Sequence, residues 1–381
     1  MTILIVCDVL GEENNGTTIA AMNLIRFLKS RGHTVRVLCA DAERAGEEGF
    51  YVAPQLRLGK ALDAYVKKVG VTIARVDEEV VNAAVDGVDH IHIMLPFLLG
   101  TRVVKIARER GISTTAGFHM QAQNFTSYIG LNRLGLVNHA VYKYIYKHLY
   151  SMVDAIHYPT EFIRGVFEKS VKRKTNGYVI SNGVHAYVRK RETEKPAELA
   201  DKIVILTTGR YAREKSQDTL IKAVALSRHR DEIQLILGGQ GVKEKYYKRL
   251  AKGLPNEPIF KLYSREEIID VLNYSDIYVH PAEVELEGIS CLEAVTCGKL
   301  TLVSDSPNAA TSAFAVDDKC IFKCRNPRAL ADLIDYWIEH PDERRQYEKL
   351  YLEGAVRYDL ESCMLEMEKM MMEVSGEKTV R

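Results

Sequence analysis

The chain has 381 residues, a length that suits roughly two to three domains each large enough to bury a core. Its 46% hydrophobic and 27% charged residues are ordinary for a globular protein, and its formal net charge of +1 excludes the basic bias of a typical nucleic-acid binder. No run approaches the roughly 20 apolar residues that cross a bilayer. Seven scattered cysteines without a Cys-x-x-Cys spacing argue for a reducing cytosol and against disulfides or structural zinc.

The segment Thr2–Asp8 is apolar and β-branched and reads as a buried strand, not a signal peptide. A polar loop, Glu12–Thr18 with Gly16, leads into an amphipathic helix from about Ile19 to Lys29, and Val35–Cys39 is a second strand. Strand, loop, helix and strand in this order open a doubly wound parallel sheet. No Gly-x-Gly-x-x-Gly follows the first strand, which counts against a dehydrogenase. His90–Met94 and Gly111–His119 are further strand-like runs that end in polar residues. His119 fits an active-site imidazole, which can both donate and accept near neutral pH, and also a core histidine bonded to a carbonyl. His92 reads as a core residue. Gln121, Gln123 and Asn124 form a polar run suited to facing acceptor hydroxyls.

The stretch Asn132–Tyr150 alternates apolar, aromatic and basic residues at helical spacing. That pattern suits a membrane interface and equally a helix packed on a sheet. Asn182-Gly183 through Pro196 is a polar, charged connector, which sets a first domain at 1–190 and a second at 191–360. Residues 1–190 carry 24 basic against 17 acidic side chains, net +7, and residues 191–381 carry 28 against 34, net −6. Such polarity would orient the protein on an anionic surface.

In the second half, Ile203–Thr208 is a strand that runs into Gly209-Arg210 and a helix from near Ser216. Gly209 permits a sharp turn. Arg210 as a fork and Lys215 as a point charge can then converge on a diphosphate. Ile233–Leu237 runs likewise into Gly238-Gly239-Gln240-Gly241. Ser275–Pro281 is a third strand, followed by Glu285, Gly288 and a helix from Ile289 to Cys297 closed by Gly298. The amides of Gly288, Ile289 and Ser290 would start that helix, where unpaired N–H groups favour an anion. Glu285 and Glu293 flank this start as hydroxyl acceptors. The tail from Glu361 reads as a helix whose methionines fill a core.

These three edges together resemble the nucleotide-binding domain of retaining GT-B glycosyltransferases of family four (glycosyl transferases group 1), as found among bacterial lipid and cell-envelope glycosyltransferases. Gly209, Arg210, Glu214 and Lys215 match its Gly-Arg-x-x-x-Glu-Lys. Gly239 and Gly241 match its Gly-x-Gly turn. Glu285, Gly288, Glu293 and Ala294 match its Glu-x7-Glu motif, all in order over about 100 residues. The chain departs from the family at Glu287, where an aromatic residue is usual, at Leu300 in place of Pro, and at Lys261–Ser264, which lacks a Gly.

The resemblance implies an α/β GT-B fold of two Rossmann-like doubly wound parallel-sheet domains facing across a cleft, the C-terminal helix at about 361–381 packing back on the first. It implies a retaining transfer of a hexose from a nucleotide-diphospho-sugar, UDP-glucose or similar, without a metal or other cofactor. Arg210 and Lys215 would grip the diphosphate, Glu285 the sugar hydroxyls and Glu293 the ribose. Gly16 would bring backbone to the transferring phosphate, and His119 would lie near the reacting carbon. The acceptor would be a hydroxyl of a membrane lipid such as diacylglycerol, or of a lipid-linked or envelope saccharide. The enzyme would then be cytoplasmic, peripheral on the inner face of the membrane. A soluble sugar or small-molecule acceptor is the alternative. A sugar-nucleotide epimerase would need paired carboxylates in the first domain, where none stands out. A non-catalytic binding subunit would have lost charge at the phosphate site, and Arg210, Lys215 and both Glu residues are present.

Overall fold

The computed structural model describes residues 1–10, 16–57, 59, 73–123 and 135–376. The chain divides into two units, residues 1–182 together with those from Cys363 onward, and Gly183–Ser362.

The first unit is built on seven parallel strands: β1 (Thr2–Val6), β2 (Thr34–Cys39), β3 (Phe50–Val52), β4 (His90–Ile93), β5 (Ser113–Gly117), β6 (Ala155–Tyr158) and β7 (Gly177–Val179). They lie in the order β3-β2-β1-β4-β5-β6-β7. The second unit holds β8 (Ile203–Thr208), β9 (Ile233–Gly238), β10 (Ile259–Lys261), β11 (Ile277–His280), β12 (Leu300–Ser304) and β13 (Ile321–Phe322), also parallel, in the order β10-β9-β8-β11-β12-β13. Counted within its own unit, each sheet begins 3-2-1-4-5-6. The order reverses between β1 and β4 and between β8 and β11, and a ligand settles outside the carboxyl ends of strands at such a point.

The strands form because short apolar, β-branched runs are buried on both faces once right-handed crossovers place helices on each side. The crossover helices that matter for the site are α1 (Gly16–Ser30), α2 (Glu78–Val85), α3 (Leu98–Arg110), α4 (Gly135–Ile145) and α5 (Glu161–Val171) in the first unit. In the second they are α6 (Gln217–Leu226), α7 (Glu244–Leu250), α8 (Arg265–Tyr274) and α9 (Ile289–Thr296). Local chemistry sets their ends. Ser264 and Glu267 form a capping box on α8, and Gly111 ends α3 in the left-handed region at φ 69°.

The unit boundary falls at Asn182/Gly183, not at the 190/191 read from composition. The connector is tied to the second unit: the Val184 amide donates to Tyr358 and the Leu360 amide returns to Val184. Asn273 takes the Arg191 amide and donates to the Arg189 carbonyl. Charged residues there mark a surface loop, and charge alone does not say to which core the loop is bonded. The C-terminal helix, Leu360–Ser375, enters the first unit from Cys363, where Met364, Met367, Met370 and Met371 are buried. Glu368 on that helix accepts from Arg31 at 3.1 Å and from His33 at 2.8 Å.

The aromatic stretch before residue 150 packs on the sheet with one face and leaves basic and aromatic side chains exposed on the other. Tyr142, Ile145, Leu149 and Tyr150 are buried, with Phe118 between Tyr150 and Phe167 at 5.1 and 4.6 Å. Lys143, Tyr144 and Lys147 are exposed. Asn132–Leu134 lie outside the described residues. No helix among the described residues is long and apolar enough to cross a membrane.

One ion network holds the edge of this sheet. Glu168 of α5 accepts from the Thr175 amide and hydroxyl, both at 3.0 Å, from Lys174 at 2.9 Å and from Arg164 at 3.3 Å. Its burial would raise the carboxyl pKa, but these donors outweigh burial and hold it at about 2. A depressed pKa stabilises the fold above the unfolded value of about 4.3 and is lost as pH falls towards the folded value. Glu168→Gln is therefore expected to cost on the order of 2 kcal/mol at pH 7 and roughly half of that at pH 3. Urea melts at the two pH values check it, and an equal loss at both would contradict it.

Candidate active site

In the second unit the carboxyl edges of β8, β9 and β11 meet. Gly209 leaves β8 at φ 139°, and its amide donates to Gly238 at the end of β9. A Cβ on Gly239 would overlap the Gly209 carbonyl oxygen, and one on Gly241 would lie 2.6 Å from the Tyr211 carbonyl oxygen. The Gly-x-Gly turn thus lets two strand ends pack backbone to backbone and fixes the turn that carries Arg210. Arg210 is half-exposed and lies 3.7 Å from Glu214.

Lys215 follows in a 3-10 turn, and Ser216 then adopts φ 51° before α6 begins. The Glu283 amide donates to the Glu214 carbonyl at 2.8 Å, which locks this turn to the loop after β11. Lys215 there donates to Glu285 Oε2, and His280 Nε2 approaches the same oxygen at 3.0 Å. Burial favours the neutral acid, but Lys215 and His280 prevail and keep Glu285 ionised, its pKa at about 2. Gly288 stands at φ 92°, where a Cβ would meet Thr311 at 2.6 Å and Glu285 at 3.1 Å. Only glycine therefore lets the helix start beside that carboxylate. Ile289 and Ser290 open α9, while the Cys291 and Leu292 amides already turn back to the Gly288 carbonyl. Helix geometry leaves the Ile289 and Ser290 amides without a partner in the helix.

Glu293 lies one turn deeper. Burial raises its pKa, and Arg265 at the start of α8 opposes that from 2.5 Å. Arg265 and His280 were not singled out in the sequence. His280 had a signal, a polar residue closing an apolar strand at the carboxyl edge. Arg265 had none, because its partner lies 28 residues away.

In the first unit, His119 follows β5. Burial and the neighbouring His157 push its pKa down to about 3, so the imidazole is neutral. His157 itself is pushed down to about 4 by burial. His92 sits in β4 at the same end of the sheet. Gln121 and Gln123, expected to face acceptor hydroxyls, are buried. Gln123 accepts from Tyr142 at 2.9 Å and so serves the aromatic core. A polar run after a strand has the same sequence whether it faces solvent or supports a core. Gly16 is the first residue of α1, and Asn124 lies outside the described residues. Asp8, missed in the sequence, lies two residues past β1 at the switch point. It accepts from the Ala74 amide at 3.0 Å, and burial raises its pKa to about 7.

Two family models match the chain. Glycosyltransferase Family 4 covers residues 14–186 and Glycosyl transferases group 1 covers 188–350. The chain belongs to the GT-B glycosyltransferases. Among curated relatives of this glycosyltransferase, a GDP-mannose-dependent α-mannosyltransferase of Mycolicibacterium smegmatis is 24% identical over 358 residues, 91% of this chain and 90% of that one. An N,N'-diacetylbacillosaminyl-diphospho-undecaprenol α-1,3-N-acetylgalactosaminyltransferase of Campylobacter jejuni is 24% identical over 60% of this chain and 61% of that one. Anabaena HepE, solved with UDP-glucose, superposes with a TM-score of 0.73 at 17% identity, covering 98% of this chain and 100% of that one, a likeness that bears on fold alone.

Proposed function

We propose that this glycosyltransferase moves a hexose, with retention at the anomeric carbon, from a nucleotide-diphospho-sugar such as UDP-glucose to a hydroxyl of a membrane lipid or lipid-linked saccharide. The observation that carries the donor reading is the Lys215–Glu285–His280 cluster beside the glycine-opened start of α9. A diphosphate arriving there meets Lys215, Arg210 and two helix-start amides, so its charge is neutralised without a metal. Glu285, kept ionised, accepts from sugar hydroxyls, and Glu293 from the ribose. Retention then follows from attack on the face the diphosphate leaves, with the diphosphate taking the proton from the acceptor hydroxyl. His119, neutral and able to donate or accept, would hold a sugar hydroxyl on the acceptor side.

The acceptor reading rests on the net +7 of residues 1–190 and the exposed Lys143, Tyr144 and Lys147. It also rests on the Campylobacter relative, which acts on a diphospho-undecaprenol-linked sugar. Peripheral contact with the inner face of the cell membrane follows from the same groups. The test supplies radiolabelled UDP-glucose, with GDP-mannose in parallel, and anionic vesicles that contain diacylglycerol. Label in the organic phase as an α-glycoside supports the proposal. Label that passes only to water-soluble products, or protein that fails to float with anionic vesicles at low salt, overturns the lipid acceptor.

A further inference from the structure

Three histidines of the first unit converge without a hydrogen bond between them among the described residues. His92 lies in β4, His119 just past β5 and His157 in β6, and one ring nitrogen from each lies within 4.8 Å of the others. The sheet register brings them together: His92 pairs with Thr115, and Gly117 pairs with His157. The missing side chain of Gly117 leaves the space. A Cβ there would overlap the His119 imidazole at Nε2 and sit 3.4 Å from His92 Nε2.

Hydrogen bonds fix the protons on two of these rings. His157 Nε2 lies 2.7 Å from the Ile180 carbonyl, which only accepts, so the proton is on Nε2 and Nδ1 carries a bare lone pair. The Ser113 hydroxyl donates to the Asp89 carbonyl at 3.1 Å, so it accepts from His90 Nδ1 at 2.8 Å. A buried imidazole with no acidic partner holds one proton, so His90 Nε2 accepts from the Thr115 hydroxyl at 2.8 Å. Thr115 Oγ1 then accepts from His92 Nδ1 at 2.8 Å, and His92 Nε2 is left as a second bare lone pair. Both bare nitrogens, with His119 Nε2, are buried and have no hydrogen-bond partner among the described residues. Two bare lone pairs within 4.8 Å of each other in a buried space call for something electropositive beside them.

We infer that His92, His119 and His157 form a binding site for a divalent transition metal ion of zinc type. Three neutral imidazoles, with His119 the half-buried member, make the donor set of such a site, and an all-nitrogen set prefers zinc, copper, nickel or cobalt to magnesium or calcium. The outer bonds fit as well. His92 passes its other N–H to Thr115 and His157 passes its own to Ile180, as metal-bound histidines do to fix ring and tautomer. Zinc–nitrogen bonds of about 2.0–2.1 Å require the ring nitrogens to close to about 3.3 Å, a small swing of side chains. Metal bound here would engage His119 and so compete with its place beside the sugar. That last point rests on the proposed function, and the binding itself does not.

The test is titration of metal-stripped, tag-free full-length protein with Co2+, followed by its visible d–d absorption, and with Zn2+ by calorimetry. One ion per chain is expected, with a zinc Kd near 1 µM or tighter. His119→Ala, which removes the half-buried ligand, and Gly117→Ala, which fills the space between the rings, should each weaken binding at least about 100-fold, with circular dichroism showing the fold retained. His157→Gln serves as a third variant should one of these fail to fold. No saturable 1:1 binding would overturn the inference and leave a water or sugar hydroxyl as the donor between the rings. Binding of unchanged affinity in both His119→Ala and Gly117→Ala, or a thiolate-to-cobalt band, would overturn it too.

Discussion

Lys215→Ala is expected to lower kcat/KM for sugar transfer by about 10²–10³-fold, the scale of removing one fixed charge or donor from a developing anion. The side chain has two tasks at one place. It supplies the positive charge that would meet the leaving diphosphate, and it holds Glu285 ionised against burial. Its loss leaves His280 as the partner of that buried carboxylate, so a stability cost of about 3 kcal/mol at pH 7 accompanies the loss of rate. Lys215→Arg keeps the charge and should recover part of both. Steady-state kinetics and urea melts on the two variants separate the effects. A rate within about threefold of wild type in Lys215→Ala would remove this residue from the donor site.

Gly239→Ala is expected to be the most disruptive single methyl in the second unit. The added carbon overlaps the Gly209 carbonyl oxygen and comes 3.3 Å from the Tyr211 ring. Backbone on both sides of the contact is hydrogen-bonded, Gly209 to Gly238 and Gly239 to Lys261, so neither strand end can yield freely. About 3 kcal/mol of stability should be lost. The Arg210 turn shifts with Gly209, so donor affinity should fall even in the folded fraction. Gly253→Ala is the control, because a Cβ there meets nothing within 4 Å. A Gly239→Ala protein that melts with the control would show that the two strand ends are not packed as described.

The places of the proposed donor-site residues in the fold were legible in the sequence. Arg210, Lys215, Glu285, Gly288 and Glu293 lie at strand ends or helix starts, where residue type and spacing are set by local geometry. What escaped depended on partners far away in the chain. Arg265 has a role because α8 begins beside α9, and His280 because Glu285 folds back over the end of β11. The His92–His119–His157 group had the same cause. Two of its members were noted one at a time, but their convergence comes from strand register and from a missing Cβ at Gly117. Gln123 after His119 shows a related limit, since a polar residue in the sequence is in the fold a buried hydrogen-bond partner of Tyr142. The connector misled for a related reason, because its backbone bonds to Tyr358 and Asn273 decide its unit and its charges do not.

The second unit is proposed to be a nucleotide-sugar site that needs no metal ion for the diphosphate. The most direct measurement is a thermal shift with UDP-, GDP- and ADP-sugars in the presence of EDTA, followed by slow hydrolysis of any donor that binds. One nucleotide sugar should raise the melting temperature and be hydrolysed, and both responses should vanish in Lys215→Ala. A protein that responds to none of them, or only when a divalent metal is restored, would contradict the account.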